Sequence, residues 1–454
     1  MKTGESTQNT ARIAEYIEQA KYEDLPREVI EKTKMVVLDT IGVMINASQY
    51  QAPKLAIDFI ESLGGRQEST VIGHSSRNSS VNAAFANGVM GHDVELDDSH
   101  APSKTHPAAV IVPAALSIGE KENCGGKDLI LATAAAYDIE CRISIALGSG
   151  WHLERNFHPT AVCGCFGAAV AAGKVLKLNR NQLANTLGLA GCQASGLESW
   201  ATELGHMTKS FHTGMAARNG LVAALLADKG YNGPPAIFDG QYSLFDAFSA
   251  GKHDPEELTR GLGTTFEIMN TGFKLYSSCR VTHAPLEAFF MIMQKNNLGF
   301  GDIREVTVKV PAGALSQING NELLTHNMQY VLAVAAVNRD ITPDQFHQKS
   351  NDPRVAELSK RVKVVAEPKL EASLATKRSG IVNLITTDGK EFEQQVDDAT
   401  GEPGNPLSRD KLEQKFINLA GQVLPKEQAG KILESVSRLE ELQNIGSLTR
   451  FCTL

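Results

Sequence analysis

The chain has 454 residues, beyond the ~250–300 at which a single hydrophobic core stops growing, so two domains are expected. It is 42% hydrophobic and 21% charged, with 44 Lys and Arg against 52 Asp and Glu for a formal charge of -8. That composition excludes a disordered chain, a basic footprint for nucleic acid and a polybasic membrane anchor. The seven cysteines are scattered through apolar surroundings, which points to a reducing compartment. The N-terminal segment lacks the apolar run of a signal peptide, and no window reaches ~18 uncharged apolar residues. A cytoplasmic protein with no membrane partner is therefore expected.

In chain order, Ile13, Tyr16, Ile17 and Ala20 form one helical stripe, and after Pro26 the apolar positions from Val29 to Met44 predict a longer, more buried helix. Ala- and Gly-rich stretches then predict helices at Asn82–Gly91, Ala108–Lys121, Asp128–Leu147, Thr160–Leu176, Gln182–Gly196 and Thr213–Lys229. Glu68–Gly73 alone hints at a strand in this stretch. The pattern changes near Lys274. Arg304–Val310, Arg361–Val365 and Gly380–Thr386 alternate polar and apolar residues, and Asp388-Gly389 marks a hairpin turn before Lys390–Val396. Helices are predicted among these strands at Val281–Lys295 and Met328–Asn338. Breakers at Glu402–Pro406 precede Ser408, which is placed to cap a C-terminal helix carrying Leu412, Phe416, Leu419 and Val423. The expected fold is mainly α. An all-helical domain spans residues 1–266 and 398–454, and a smaller α+β domain spans 267–397.

Nucleotide motifs fail on spacing. Gly167–Lys174 has five residues between its glycines and Val175 where a P-loop needs Ser or Thr, and no G-x-G-x-x-G opens a helix after a strand. Histidines carry more information: of 12, His92, His100, His106, His158, His206, His212 and His283 lie at polar edges rather than on apolar stripes. From His92 to His106, four carboxylates (Asp93, Glu95, Asp97, Asp98) and three histidines share fifteen residues, enough for acid–base groups, positioning groups or metal ligands. Zinc spacings of the HEXXH or paired-cysteine kind are absent from the sequence. His158-Pro159 precedes an alanine-rich helix, where a helix N-terminus favours an anion and a lowered histidine pKa. Lys209 lies near His206 and His212, and Lys274 is followed by Tyr276, Arg280 and His283, so both segments are candidates for binding carboxylates or phosphates.

These segments together resemble the MmgE/PrpD family, which includes 2-methylcitrate dehydratases, cis-aconitate decarboxylases and an iminodisuccinate epimerase. The resemblance rests on Phe85–Gly88, His92, Glu95–Ser99 and His106-Pro107, then Phe157–Thr160 with Gly164–Ala169. It continues through Lys209 with His212 and Gly214, Lys274 with Cys279-Arg280 and Thr282-His283, Tyr330, and Pro406–Ser408. It implies a helical domain with an α+β lid, a homodimer, no cofactor and no metal. It also implies a cleft holding Glu95, Ser99, His106, His158, Lys209, Lys274, His283 and Tyr330. Glu95 and Ser99 depart from the Asp and Thr more often found in the decarboxylases.

The activity implied is a lyase acting on a small di- or tricarboxylate through proton abstraction next to a carboxylate, with dehydration ahead of decarboxylation. Epimerisation of an iminodicarboxylate and non-catalytic anion binding are the alternatives. Lys209, Lys274 and Arg280 are expected to hold carboxylates and stabilise enolate-like charge. His106 and His158 are expected to form the acid–base pair. Glu95 is expected to orient a histidine, and Ser99 and Tyr330 to position the substrate.

Overall fold

A computed structural model describes residues 8–148, 150–203, 207–249, 251–347, 351–371 and 377–454; His206 lies outside them. The first half is a stack of helices: α1 (Asn9–Gln19), α2 (Arg27–Ala47), α3 (Gln51–Leu63), α4 (Ser80–Asp93), α5 (Ala108–Lys121), α6 (Gly126–Ala146), α7 (Trp151–Arg155), α8 (Pro159–Val175), α9 (Arg180–Gly191) and α10 (Thr208–Asp228). Helices α5, α6 and α8 are buried on nearly every face. That explains why their sequences show apolar runs instead of a single stripe. Small residues set how closely they approach. A Cβ added at Gly88 would lie 2.8 Å from the Gly214 Cα, so α4 and α10 touch backbone to backbone, and Thr213 Oγ1 donates to the Gly88 carbonyl at 2.8 Å.

Helix α3 and the helix Lys426–Ser437 were not expected, and two expected helices have other bounds. The one predicted over Gln182–Gly196 stops at Gly191, because the chain turns away at Gly196 (φ +136°) to receive the His158 amide at 2.9 Å. The one predicted from Thr213 starts at Thr208 and so includes Lys209 and His212. The predicted strand near Glu68 reduces to β1 (Ser69–Thr70), paired with β2 (Arg77–Asn78). A second short pair has no sequence signal: β3 (Asp98–His100) runs antiparallel to β4 (Thr271–Phe273), with Ser99 opposite Gly272. Three buried residues are too few for alternation to register.

The smaller unit carries a four-stranded sheet ordered β6-β5-β7-β8, from β5 (Ile303–Val310), β6 (Val362–Ala366), β7 (Gly380–Thr386) and β8 (Glu391–Val396). β5 and β6 are parallel, and the other pairs are antiparallel. Burial alternates along β5 and β7 as their sequences require, and Gly389 adopts φ +88° in the predicted turn. Helices His283–Lys295 and Met328–Asn338 complete this unit's apolar core, which runs from Leu286 to Leu384. The other core joins Ile13–Phe273 to Leu407–Cys452, so the C-terminal helices return to the first half. Ser408 Oγ caps the helix Arg409–Ala420 by accepting from the Lys411 amide at 3.4 Å. Lys415 of that helix pairs with Asp39 of α2 at 2.7 Å and donates to the Leu96 carbonyl at 2.7 Å. No described helix is long and apolar enough to cross a membrane.

Candidate active site

The site is built on the loop Val94–Asp97 between α4 and β3. Glu95 has φ +53°, a left-handed conformation that costs a non-glycine residue about 1 kcal/mol or more and persists only where contacts enforce it. Three contacts do so. The Val94 carbonyl accepts from Ser277 Oγ at 2.7 Å, the Leu96 carbonyl accepts from Lys415, and the Glu95 carboxylate is gripped by Lys209 and, at 2.9 Å, by Lys274. The loop is thus tied to α10, to the segment after β4 and to the C-terminal helix.

Asp97 is the hub for the histidines. One of its oxygens lies 2.7 Å from His92 Nδ1 and 3.0 Å from His106 Nδ1, and the other accepts from Lys274 at 3.1 Å. His106 Nδ1 also lies 2.6 Å from the Asp98 carbonyl oxygen. With two acceptors facing it, Nδ1 carries the proton, and the Nε2 lone pair is left to act as a base. The His106 amide is held as well, donating to Thr160 Oγ1 at 3.1 Å. Asp98 caps α5 by accepting from the Ala108 amide and takes a hydrogen bond from the Tyr137 hydroxyl. Sequence reasoning assigned histidine orientation to Glu95. The structure gives that role to Asp97, because Glu95 points to the two lysines.

His158 stands at the start of α8 with Pro159 in the first turn, as expected. Its ring lies 6.0 Å from that of His92, and its Nδ1 is 3.3 Å from His212 Nδ1, so one of the two imidazoles donates to the other. Trp200 covers this corner, 5.6 Å from the His158 ring and 5.4 Å from that of His326, with the Lys209 ammonium over its face at 4.9 Å. His212 also lines a cavity of about 340 Å³ with Phe211, Gln193 and Asn219.

Electrostatics sort these groups. Burial alone would raise Glu95 and Asp97, but the lysines and histidines outweigh it and hold both carboxylates well below the usual range. Burial drives His106 down to about 4 against the pull of Asp97. Burial, then the neighbouring His92 and Lys209, pushes His158 well below 6.5, so the helix terminus expected to do this is not the main cause. Asp93, buried at the end of α4 near Ser210, rises to about 8 through burial first. At neutral pH His106 and His158 are therefore proton acceptors, and Lys274 and Asp93 hold protons.

Ser99 and Arg280 are near this cluster but engaged elsewhere. Ser99 Oγ accepts from Arg378 at 3.1 Å, and Arg280 donates to Glu402 at 2.7 Å and to the Phe273 carbonyl at 3.2 Å. His283 is fully buried with both ring nitrogens used, one facing Arg280 at 3.2 Å and the other the Ser278 carbonyl at 3.3 Å. Tyr330 sits in the smaller unit's core and donates to the Gln345 carbonyl at 2.7 Å. The buried Cys279 thiol is raised by burial, with Lys209, Glu95 and Lys274 within electrostatic reach.

The sequence reading left Asp97, His92, Trp200, Cys279, His326 and Arg378 without roles. Asp97 and His92 stood in the dense cluster and could have been chosen. Arg378, next to Lys377 ahead of a strand, carried no distinguishing signal. His92, Asp97 and His106 bring one potential ligand atom each within 4.8 Å of one another, close enough for a metal ion. The Lys274 ammonium beside Asp97 disfavours a cation there.

Comparison with known proteins fits this arrangement. Residues 11–257 match the MmgE/PrpD N-terminal domain and residues 276–441 the MmgE/PrpD C-terminal domain. The chain is 26% identical to a cis-aconitate decarboxylase of Aspergillus terreus over 97% of its own length and 94% of the relative's. It is 27% identical to those of Mus musculus and Homo sapiens, over 97% of this chain and 92% and 93% of theirs. With both domains matched in order over most of its length, the chain belongs to the MmgE/PrpD family.

Proposed function

We propose that the protein is a lyase acting on a small di- or tricarboxylate, with His106 as the base that removes a proton next to a carboxylate. The observation that carries this reading is the His106 ring, neutral and pinned at Nδ1 by Asp97 and the Asp98 carbonyl, with two ammonium groups alongside. When His106 Nε2 takes the proton, Asp97 stabilises the imidazolium formed. Lys274 and Lys209 face the enolate-like charge left on the substrate. In dehydration Asp93, raised to about 8 by burial, supplies the proton that leaves with the hydroxyl as water. In decarboxylation no C–H bond breaks, the electrons of the C–COO⁻ bond stay on carbon as carbon dioxide leaves, and Asp93 supplies the one proton that the carbanion takes up. His158, neutral and bonded to His212, serves as acceptor rather than donor.

Relatives named as cis-aconitate decarboxylases put that acid first among substrates to test, beside 2-methylcitrate, citrate and iminodisuccinate. The test incubates the protein with each acid and a chelator in deuterated water and follows proton NMR. Itaconate formation, or alkene and hydroxyl changes, is expected from the wild type. His106→Asn should lose about 10²–10⁴-fold in rate while keeping its melting temperature. Diastereomer change in iminodisuccinate alone would replace the lyase with an epimerase, and binding of acids without turnover of any would leave an anion-binding protein.

A further inference from the structure

The charges around the site are unevenly balanced. In the histidine–lysine cluster, Lys209 and Lys274 face Glu95 and Asp97, two cations against two anions, each pair in contact. Beside it, where β3 meets the segment leading into β7, Arg280 and Arg378 share one carboxylate: Glu402 Oε1 lies 2.7 Å from Arg280 Nε and 3.6 Å from Arg378 Nη1. Lys104, at φ +60° just after β3, is close enough to feel both Arg378 and Glu402.

The other acids packed on this corner are already engaged. Asp98 accepts from the Tyr137 hydroxyl and the Ala108 amide, and burial and the neighbouring Asp97 push its pKa well above the usual carboxylate range. Asp398 pairs with Lys377 at 3.3 Å, and Glu287 accepts from the Thr400 amide and hydroxyl at 2.7 Å. Three cations thus meet one anion. Arg280, only 3% exposed, has its Nη2 buried with no hydrogen-bond partner among the described residues. A buried, unsatisfied guanidinium nitrogen in an under-neutralised cluster is costly unless an anion completes it.

The cluster also adjoins the reacting centre. Ser99, which accepts from Arg378, follows the residue whose carbonyl pins His106. Cys279 lies within electrostatic reach of Arg378 on one side and of Lys209 and Lys274 on the other. Arg378 and Glu402 come from the chain on either side of the β7–β8 hairpin, and Ser99 and Lys104 from the helical half, so an anion here would join the two units.

We propose that Arg378, with Ser99, Lys104 and Arg280, forms a subsite for a substrate carboxylate remote from the carbon that loses its proton, and that this subsite makes the enzyme selective for tricarboxylates over dicarboxylates. The proposal rests on the polycarboxylate reading above. A guanidinium fork suits a carboxylate, and the excess positive charge supplies the binding that the neutralised lysine pairs lack.

The test is calorimetric titration of the full chain with propane-1,2,3-tricarboxylate and with pentanedioate, neither of which carries a hydroxyl or alkene to react. The wild type is expected to prefer the tricarboxylate. Arg378→Gln is expected to weaken tricarboxylate binding by about tenfold or more, the scale of one charge-assisted hydrogen bond, while dicarboxylate binding changes little. Lys104→Gln, at a half-buried position, is expected to shift selectivity in the same direction by less, and it carries the test if Arg378→Gln lowers the melting temperature. Unchanged selectivity in both variants overturns the subsite and leaves the lyase reading intact. Equal loss of both acids in Arg378→Gln overturns it too, since the arginine would then support the whole site. Failure of the wild type to bind either acid overturns the subsite together with the polycarboxylate reading.

Discussion

The two halves of the molecule invest in different physics. The smaller unit closes over a core of aliphatic and aromatic side chains from Leu286 to Leu384 and keeps most of its ion pairs, such as Lys309–Glu393, at the surface. The helical half buries Asp39, His92, Glu95, Asp97, Asp98, Glu140, Lys209 and Lys274. Each ion withdrawn from water costs several kcal/mol before its partners repay it. Folding alone gives little reason to accept that cost, and the proposed lyase centre draws on Glu95, Asp97, Lys209 and Lys274 among these groups. The smaller unit contributes reach instead, bringing Cys279, His326 and Arg378 to the rim of a centre built elsewhere.

The sharpest break in this contrast comes from Lys274→Met. It strands Glu95 and Asp97 with half their countercharge, so stability should fall by about 3–5 kcal/mol, as for other broken buried pairs. Turnover should fall with it by about 10²-fold or more, because the developing negative charge loses its nearest ammonium. Denaturant unfolding and steady-state kinetics read both losses. Leu384→Ala in the sheet core should cost about 2–5 kcal/mol and yet leave kcat of the folded protein near wild type. A kcat loss as large as that of Lys274→Met would mean that the smaller unit takes part in the chemistry itself.

A smaller effect concerns pH. His106 is held near 4 when folded, against about 6.5 when unfolded, so between these values the unfolded chain binds a proton that the folded chain refuses. Stability carried by the neutral ring is present above pH 6.5 and lost as pH falls toward 4. Relative to His106→Asn, the wild type should therefore become progressively less stable across that window. A constant difference between the two proteins would show that the ring is not held neutral.

Much of this was legible in the sequence, and the failures have physical causes. Periodicity beyond five or six residues announced α2, β5 and β7, whereas α3 and the helix Lys426–Ser437 went unassigned. Pairs such as β3–β4 did not announce themselves, because three buried residues leave no pattern. The density of His and acidic residues from His92 to His106 marked the segment on which the proposed centre is built. Individual roles depended on where each side chain points, and Glu95 and Asp97, two residues apart, take lysines and histidines respectively through the left-handed turn at Glu95. Nothing in the sequence likewise signalled that the His283 nitrogens face Arg280 and the Ser278 carbonyl, since those contacts depend on the turn ahead of its helix. Arg378 was invisible, since its importance arises from a contact across 279 positions of chain.

The account turns on one protonation state, that of His106. The direct measurement is a histidine 15N NMR titration of the wild type, with His106→Asn used to assign the resonance. The account predicts a neutral ring with its proton on Nδ1 throughout pH 8 to 5, titrating only near 4. An imidazolium already formed at pH 6, or a neutral ring with its proton on Nε2, would contradict it.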